Sequence, residues 1–445
     1  MRLRAWLALL LLIAAALAAM PVFMYGEQTV PLPQARRDLL STAQEVLLTH
    51  PAFALEANGA AMRRAYLFYV RRLSARLSEP LTSTALLEDE DLVLDWLKDP
   101  HTNLAQAWSP LSSTDLLPVG FYWTQGGLVA YRVAGSPGGI ETGDRVLAIG
   151  GVPTRDLLSR LRRFYSGNVP WLQTLADTFL PYGNTLAWLG LEHDGRVDLS
   201  FERSSGERFS LRVALRPIGL SSYESYELGH ALFLARYVAP PGLMRRLGDS
   251  FYAWRVTPDY GIYWLVACQD TSGFEHSVSA FFSAVKKAHV GDVVIDLQEN
   301  MGGDADVAFA FLRHLPLQAG YQDLQSAQSP DEIFRGKVYV LVNGATMSSG
   351  VQVAEYLTEA GDGVLTGSPA GLASAAWGEV QYFATPDGRM DYQVSSMWIP
   401  AVDGRVTPTL RPSIALPLTV EDVREGRNPL AAWLGHLPSP VAPCT

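Results

Sequence analysis

Residues 261 to 360 constrain the fold of this chain most. "GIYWLVAC", "DVVIDL" and "KVYVLV" are short, nearly all-apolar runs rich in β-branched and aromatic residues. Between and after them "HSVSAFFSAVKKA", "DADVAFAFLRHL" and "SGVQVAEYLTEA" carry apolar residues at helical spacing. Strand and helix alternating at this pitch predict βαβ units on a mostly parallel sheet, since strands buried on both faces need helices on each side. In such sheets reactive groups gather where strand carboxyl ends meet helix N-termini. Just before this block, "FYAWRV" and "GIYWLVAC" flank the turn "TPDYG" and read as paired strands.

The rest of the chain has a different texture. Residues 34 to 108 are rich in Leu, Ala, Arg and Glu with helical periodicity, and a Pro/Ser cluster, "SPLSSTDLLP", marks a boundary after them. From Gly120 short strands and turns follow, with "RVDLSFERSSGERFSLRVAL" predicting a hairpin. A chain of 445 residues exceeds what one core supports, and 48% hydrophobic with 18% charged residues suits several packed domains. A net charge of −10 and the lack of any Lys/Arg-rich run exclude nucleic acid as a partner. The start, "MRLR" then "AWLALLLLIAAALAAMPVFMY", is a basic segment before about 20 mostly apolar residues, as in an export signal or a membrane anchor. Two cysteines, Cys268 and Cys444, give no disulfide framework; a buried thiol is the expected role of Cys268.

The chemistry-bearing stretch is "NGATMSSGVQVAEYL", residues 343 to 357, where a strand turns into a helix. A serine hydroxyl is a poor nucleophile unless a base takes its proton and its oxyanion is held. Helix-initial amides are unpaired, so the N–H of Ser349 is a candidate oxyanion donor for Ser348. Ser and Thr are equally favoured as helix caps, and the turn alone does not separate the two roles. Upstream, "VVIDLQENMGGDADV" ends a strand in a glycine pair, whose amides at Gly302 or Gly303 could supply a second donor; a plain turn would use the same glycines.

Taken together, "IDLQENMGG", "VNGATMSSGVQVAEYL" and "GVLTGSPAG" resemble the C-terminal processing (tail-specific) serine peptidases. The resemblance places Ser348 on the nucleophile position and implies a crotonase-like or ClpP-like βαβ peptidase domain. Gln298 stands where that family usually has Arg. Many bacterial members pair the serine with a lysine about 25 residues downstream, but the four lysines, Lys98, Lys286, Lys287 and Lys337, all precede Ser348. The chain is instead similar to the histidine-dependent, tricorn-core-like branch, whose base lies in an Asp-x-His-Thr context; "LKDPHTNL" supplies it as His101. An imidazole with a pKa near 6.5 can take the hydroxyl proton and return it to a leaving amine. That branch also places an acid shortly before its closing motif. Here, in "DGRVTPTLRPSI", the position falls at or near Thr407, leaving Glu379 and Asp403 as substitutes without motif support.

"PVGFYWTQGGLVAYRVAGSPGGIETGDRVLAIGG" looks like a PDZ domain, with Val119, Gly120 and Phe121 as the loop binding a peptide carboxylate and a helical insertion near 162–190 packing on it. The resulting α/β multidomain reading has a signal peptide or membrane anchor at 1–25, a helical region at 26–115 contributing His101 and a PDZ-like domain at 116–220. A serine peptidase domain at 221–437 and a tail at 438–445 complete it. It implies an exported or membrane-anchored endopeptidase, periplasmic or extracellular, acting on peptides or unfolded proteins. No cofactor is expected, and no metal, since the usual His-Glu-x-x-His and Cys-x-x-Cys spacings are absent. The alternative is a degenerate peptidase that binds peptide without cutting it, motivated by the missing acid and the altered "GSPAGLAS" loop.

Overall fold

The computed structural model describes residues 29–55, 57–104, 115–217, 220–247, 250–321 and 333–437. Four helices come first: α1 (Leu32–Thr49), α2 (Ala52–Leu55), α3 (Gly59–Arg76) and α4 (Ser83–Leu94), the last capped by the Thr82 side chain accepting from the Ala85 amide. A tight 3-10 turn, Asp95–Leu97, and the two-residue strand β1 (Asn103–Leu104) follow. The apolar stripes of these helices do not pack among themselves alone. Leu39, Val46, Val70 and Leu73 share one core with Met390, Tyr392 and Val394, more than 300 residues away in sequence.

The second part is an antiparallel sheet in the order β3 (Gly120–Thr124), β4 (Gly127–Tyr131), β5 (Arg145–Ile149), β7 (Arg196–Glu202), β8 (Arg208–Ala214), with β6 (Val152–Pro153) on β5. A minor pair, β2 (Asp115–Leu116) with β9 (Arg216–Pro217), closes it. The hairpin expected at "RSSGER" is the β7–β8 pair. Between β6 and β7 the insertion forms α5 (Thr154–Leu161), α6 (Val169–Phe179) and α7 (Gly183–Trp188); Trp171 is buried and Trp188 partly buried against the core. Helix α8 (Leu220–Tyr237), which the periodicity did not single out, and the short α9 (Met244–Leu247) lead onward.

The third part is the anticipated sheet, in the order β10 (Tyr252–Val256), β11 (Gly261–Leu265), β12 (Asp292–Asp296), β13 (Lys337–Val342), β14 (Val364–Gly367), β17 (Ile414–Ala415). Only the β10–β11 pair is antiparallel. Helices α10 (Phe274–Lys287), α11 (Val307–Leu312) and α12 (Ser349–Glu355) make the crossovers. Successive β12 residues explain the unbroken apolar run: Val293 and Ile295 enter the core under α10 and α11, whereas Val294 faces the opposite core with Tyr339 and Leu341. That second face is covered by α14 (Pro429–Leu434), which follows α13 (Val420–Glu425). Between β14 and β17 the chain projects a long hairpin, β15 (Ala376–Ala384) and β16 (Asp391–Ile399), and β16 pairs with β1. The hairpin ties the helical front of the molecule to the parallel sheet.

Among the described residues no helix is long and apolar enough to cross a membrane. The apolar run at the N-terminus and Cys444 lie outside them.

Candidate active site

Strand β13 ends at Val342, and the next six residues form the turn into α12. Thr346 explains part of its composition. Its hydroxyl donates to the Leu297 carbonyl (2.8 Å) and accepts the Asn343 amide (3.0 Å), fastening the turn to the end of β12 with no exposure to solvent. Ser348 explains the rest. Its backbone sits at φ 51°, ψ −130°, and the Gly350 amide donates to the Met347 carbonyl at 2.9 Å. This is a type II′ turn with a serine at the position glycine usually takes, a strained site of the kind that exposes a nucleophile. The Ser348 hydroxyl makes no hydrogen bond among the described residues, whereas Ser349 donates its own to the Gly303 carbonyl (2.7 Å).

The loop after β12 closes around this turn. Asn300, fully buried, accepts the Met347 amide on its carbonyl (2.9 Å) and donates its side chain to the Leu265 carbonyl (3.0 Å). Its Oδ1 accepts the Gly302 amide at 2.9 Å and the Cys268 thiol at 3.4 Å, and burial pushes that thiol up to about 12. Gly302 lies against Ser348: a Cβ there would stand 2.6 Å from the Ser348 Cβ and 3.1 Å from the Ser349 nitrogen. With φ 110° and no room for a side chain, only glycine fits. Of the expected oxyanion donors, the Gly302 amide is therefore taken by Asn300, while those of Gly303 and Ser349 have no partner among the described residues. Gln298, in the usual Arg place, is buried with its Oε1 unpartnered. Next to it Glu299 and Asn343 exchange two hydrogen bonds, Nδ2 to Oε1 at 2.7 Å and Glu299 N–H to Oδ1 at 3.2 Å.

His101 sits between the helical front and the hairpin. Its carbonyl accepts from Gln393 of β16 (3.0 Å), and the imidazole is buried, its side chain 12% exposed. Among the described residues neither ring nitrogen has a hydrogen-bond partner, so His101 and Ser348 are not hydrogen-bonded. They are nevertheless linked by a short tether. Gly371 donates to the Thr346 carbonyl (2.9 Å), and six residues later the Trp377 backbone lies beside the imidazole, a span of at most about 20 Å. Burial lowers the imidazole pKa, against the raising effects of the Asp99 charge and the Trp377 carbonyl.

The acid beside His101 is Asp99, two residues before it, with Oδ1 3.9 Å from Nδ1. Asp99 is 2% exposed and collects four donors: the His101 amide on Oδ1 (3.0 Å), and Thr102 Oγ1 (2.7 Å), Ser395 Oγ (2.6 Å) and His50 Nε2 (3.3 Å) on Oδ2. Burial pushes its carboxyl up, but His50, the His101 charge and Ser395 outweigh this and hold it below the usual carboxylate value. Glu379 is exposed on β15, and Asp403 is an exposed turn residue whose carboxylate accepts the Arg405 amide (2.7 Å). Thr407 is bonded through its amide to Ser374 (2.8 Å), in the segment that leads to Trp377. Asp99 was visible in "DPHT", but its two donors from distant chain, His50 and Ser395, were not.

The three residues expected to hold a peptide carboxylate, Val119, Gly120 and Phe121, are all buried. The end of that edge strand and the turn after it, Tyr122 to Gly127, instead border a cleft of about 520 Å³ between β3, α6 and the ends of β13 and β14. Two of its outward amides are already engaged, Trp123 by the Asp177 carboxyl and Gln125 by the Leu418 carbonyl (2.8 Å).

Residues 267–409, which contain Ser348, match the family model of peptidase family S41. The solved structure of mature CPAF complexed with lactacystin has a TM-score of 0.63 to this chain at 15% identity, covering 91% of this chain and 97% of that one. That of mature CPAF alone gives 0.63, 15%, 91% and 96%. At this identity the likeness establishes a shared fold. No match is found among curated protein sequences.

Proposed function

We propose that this chain is a serine endopeptidase in which Ser348 is the nucleophile and His101 the general base. The observation that carries this reading is the Ser348 turn: a strained II′ backbone whose hydroxyl, like the nearby amides of Ser349 and Gly303, has no hydrogen-bond partner among the described residues, in a stretch that matches the S41 family model. As Ser348 Oγ attacks a peptide carbonyl carbon, its proton passes to a ring nitrogen of His101, and the two amides hold the carbonyl oxygen as it becomes an oxyanion. Collapse breaks the C–N bond, the imidazolium returns the proton to the departing amine, and water repeats the sequence on the acyl-serine. Glycine at 302 keeps the two sides in van der Waals contact. The lowered imidazole pKa keeps the base unprotonated at neutral pH.

Substrates are peptides or unfolded proteins, with the end of β3 and the turn to β4, residues 122–127 of the PDZ-like sheet, as a secondary contact along its cleft. The basic and apolar N-terminus, residues 1–25, supports export, with the segment either removed or kept as an anchor. The test is Ser348→Ala against wild type, on unfolded casein and on a fluorophosphonate probe. Wild type is expected to cut and to label, the variant to do neither; a variant that still does both sinks the assignment. A second reading, peptide binding without cleavage, is favoured by the missing His101–Ser348 hydrogen bond and by Thr407 in the acid's place. Cleavage by wild type that is lost in His101→Ala removes it.

A further inference from the structure

A histidine base works only if its ring is held in one tautomer and its positive form is stabilised, and the acid expected for this from the sequence is a threonine. The structure supplies another carboxylate. We propose that Asp99 is the group that orients His101 at the Ser348 site, and that His50 is a positioning residue that holds Asp99; this rests on the serine peptidase reading.

The tautomer of His50 follows from its surroundings. Its Nδ1 accepts the Ala52 amide (3.2 Å), so its proton is on Nε2 and is donated to Asp99 Oδ2. With Thr102 and Ser395 on the same oxygen, Oδ2 is saturated. Among the described residues Oδ1 holds only the His101 amide, which leaves it room for a second donor, and His101 Nδ1 is 3.9 Å away. A closure of about 1 Å brings the two atoms to hydrogen-bond distance. The same closure satisfies Nδ1, one of two orphaned nitrogens in a buried ring, and leaves Nε2 for the serine proton. His50 and Asp99 side chains have no exposure, and the His50 ring packs edge-on to Trp377 at 5.1 Å, so the clamp cannot swing away. Among the described residues Asp95, in the preceding 3-10 turn, also acts on Asp99 through its charge and is itself bonded by Lys98 and Ser166. From the hairpin side the cluster meets the Ser395 hydroxyl and the Trp377 backbone. The chain thus places its acid before the histidine and secures it from His50, which caps the end of α1, and from β16.

Peptide hydrolysis by the full chain across pH tests this. Asp99→Asn is expected to lower kcat by about 10³- to 10⁴-fold with little change in KM, the scale for loss of a triad carboxylate. Its acid limb should move to lower pH by about one unit, because the anion that favours the imidazolium is gone. His50→Phe keeps the ring packing but not the donor and should cost about ten- to a hundredfold in kcat. His50→Gln, whose amide still donates, should stay within about threefold of wild type. If wild type is active and depends on Ser348 and His101, yet Asp99→Asn and His50→Phe keep both rate and acid limb, the inference fails and the peptidase reading stands. If wild type neither cuts casein nor labels, both fall together.

Discussion

Replacing Ser348 by glycine and by alanine separates the chemistry of the turn from its strain. At φ 51°, ψ −130° any residue with a Cβ is held where a type II′ turn favours glycine, at a cost of about 1–3 kcal/mol. The hydroxyl itself makes no hydrogen bond within the described structure, so its removal loses little. Alanine keeps the Cβ and therefore the strain; glycine relieves it. Against this gain stands the greater freedom of glycine in the unfolded chain, about 0.5–1 kcal/mol. The net expectation is that Ser348→Gly is about 1 kcal/mol more stable than Ser348→Ala, and that Ser348→Ala matches wild type. In a chain of this size that is a rise in Tm of about 1–3 °C, readable by differential scanning fluorimetry on the three proteins side by side. Both variants should be inactive. A glycine variant that melts at or below the alanine variant would refute the claim that the nucleophile turn stores strain.

Gly302→Ala should abolish activity and lower Tm, since its methyl would stand 2.6 Å from the Ser348 Cβ; normal kcat/KM would contradict the packing described. Thr346→Val removes two buried hydrogen bonds at once and should cost about 1–3 kcal/mol in urea unfolding. The acid limb of kcat/KM for casein-derived peptides should lie below the ordinary imidazole value, because burial lowers His101; a limb above it would mean the ring is not the base. Glu90, buried between α1 and α4, is pushed up to about 8 from 4.5. The folded state thus keeps a proton that the unfolded chain releases above 4.5, and stability falls as pH rises between those values. Glu90→Gln should therefore raise Tm relative to wild type more at pH 9 than at pH 5, and an equal effect at both would remove Glu90 as the cause.

The parallel sheet was legible because its signal is local: each strand is an apolar run short enough to be buried on two faces, and each helix repeats at its own period. The Ser348 turn was legible for the same reason, a strand, a break and a helix in sequence. What local pattern could not carry was the use of each polar group. Gly302 and Gly303 look alike in "NMGGD", yet Asn300 consumes one amide and leaves the other, because the side-chain amide folds back over the loop. The 119–121 segment reads as a loop and is buried, since Val119 and Phe121 enter the main core and Gly120 lies against the Tyr131 ring. Asp99 stood in plain view, but a carboxylate two residues from a histidine becomes its partner only if donors from elsewhere fix it, and those come from positions 50 and 395. Covalent neighbourhood set which elements form; the pairing of buried charges and amides was settled when α1, the hairpin and the parallel sheet closed on one another, since only then does each buried polar atom meet, or lack, its partner.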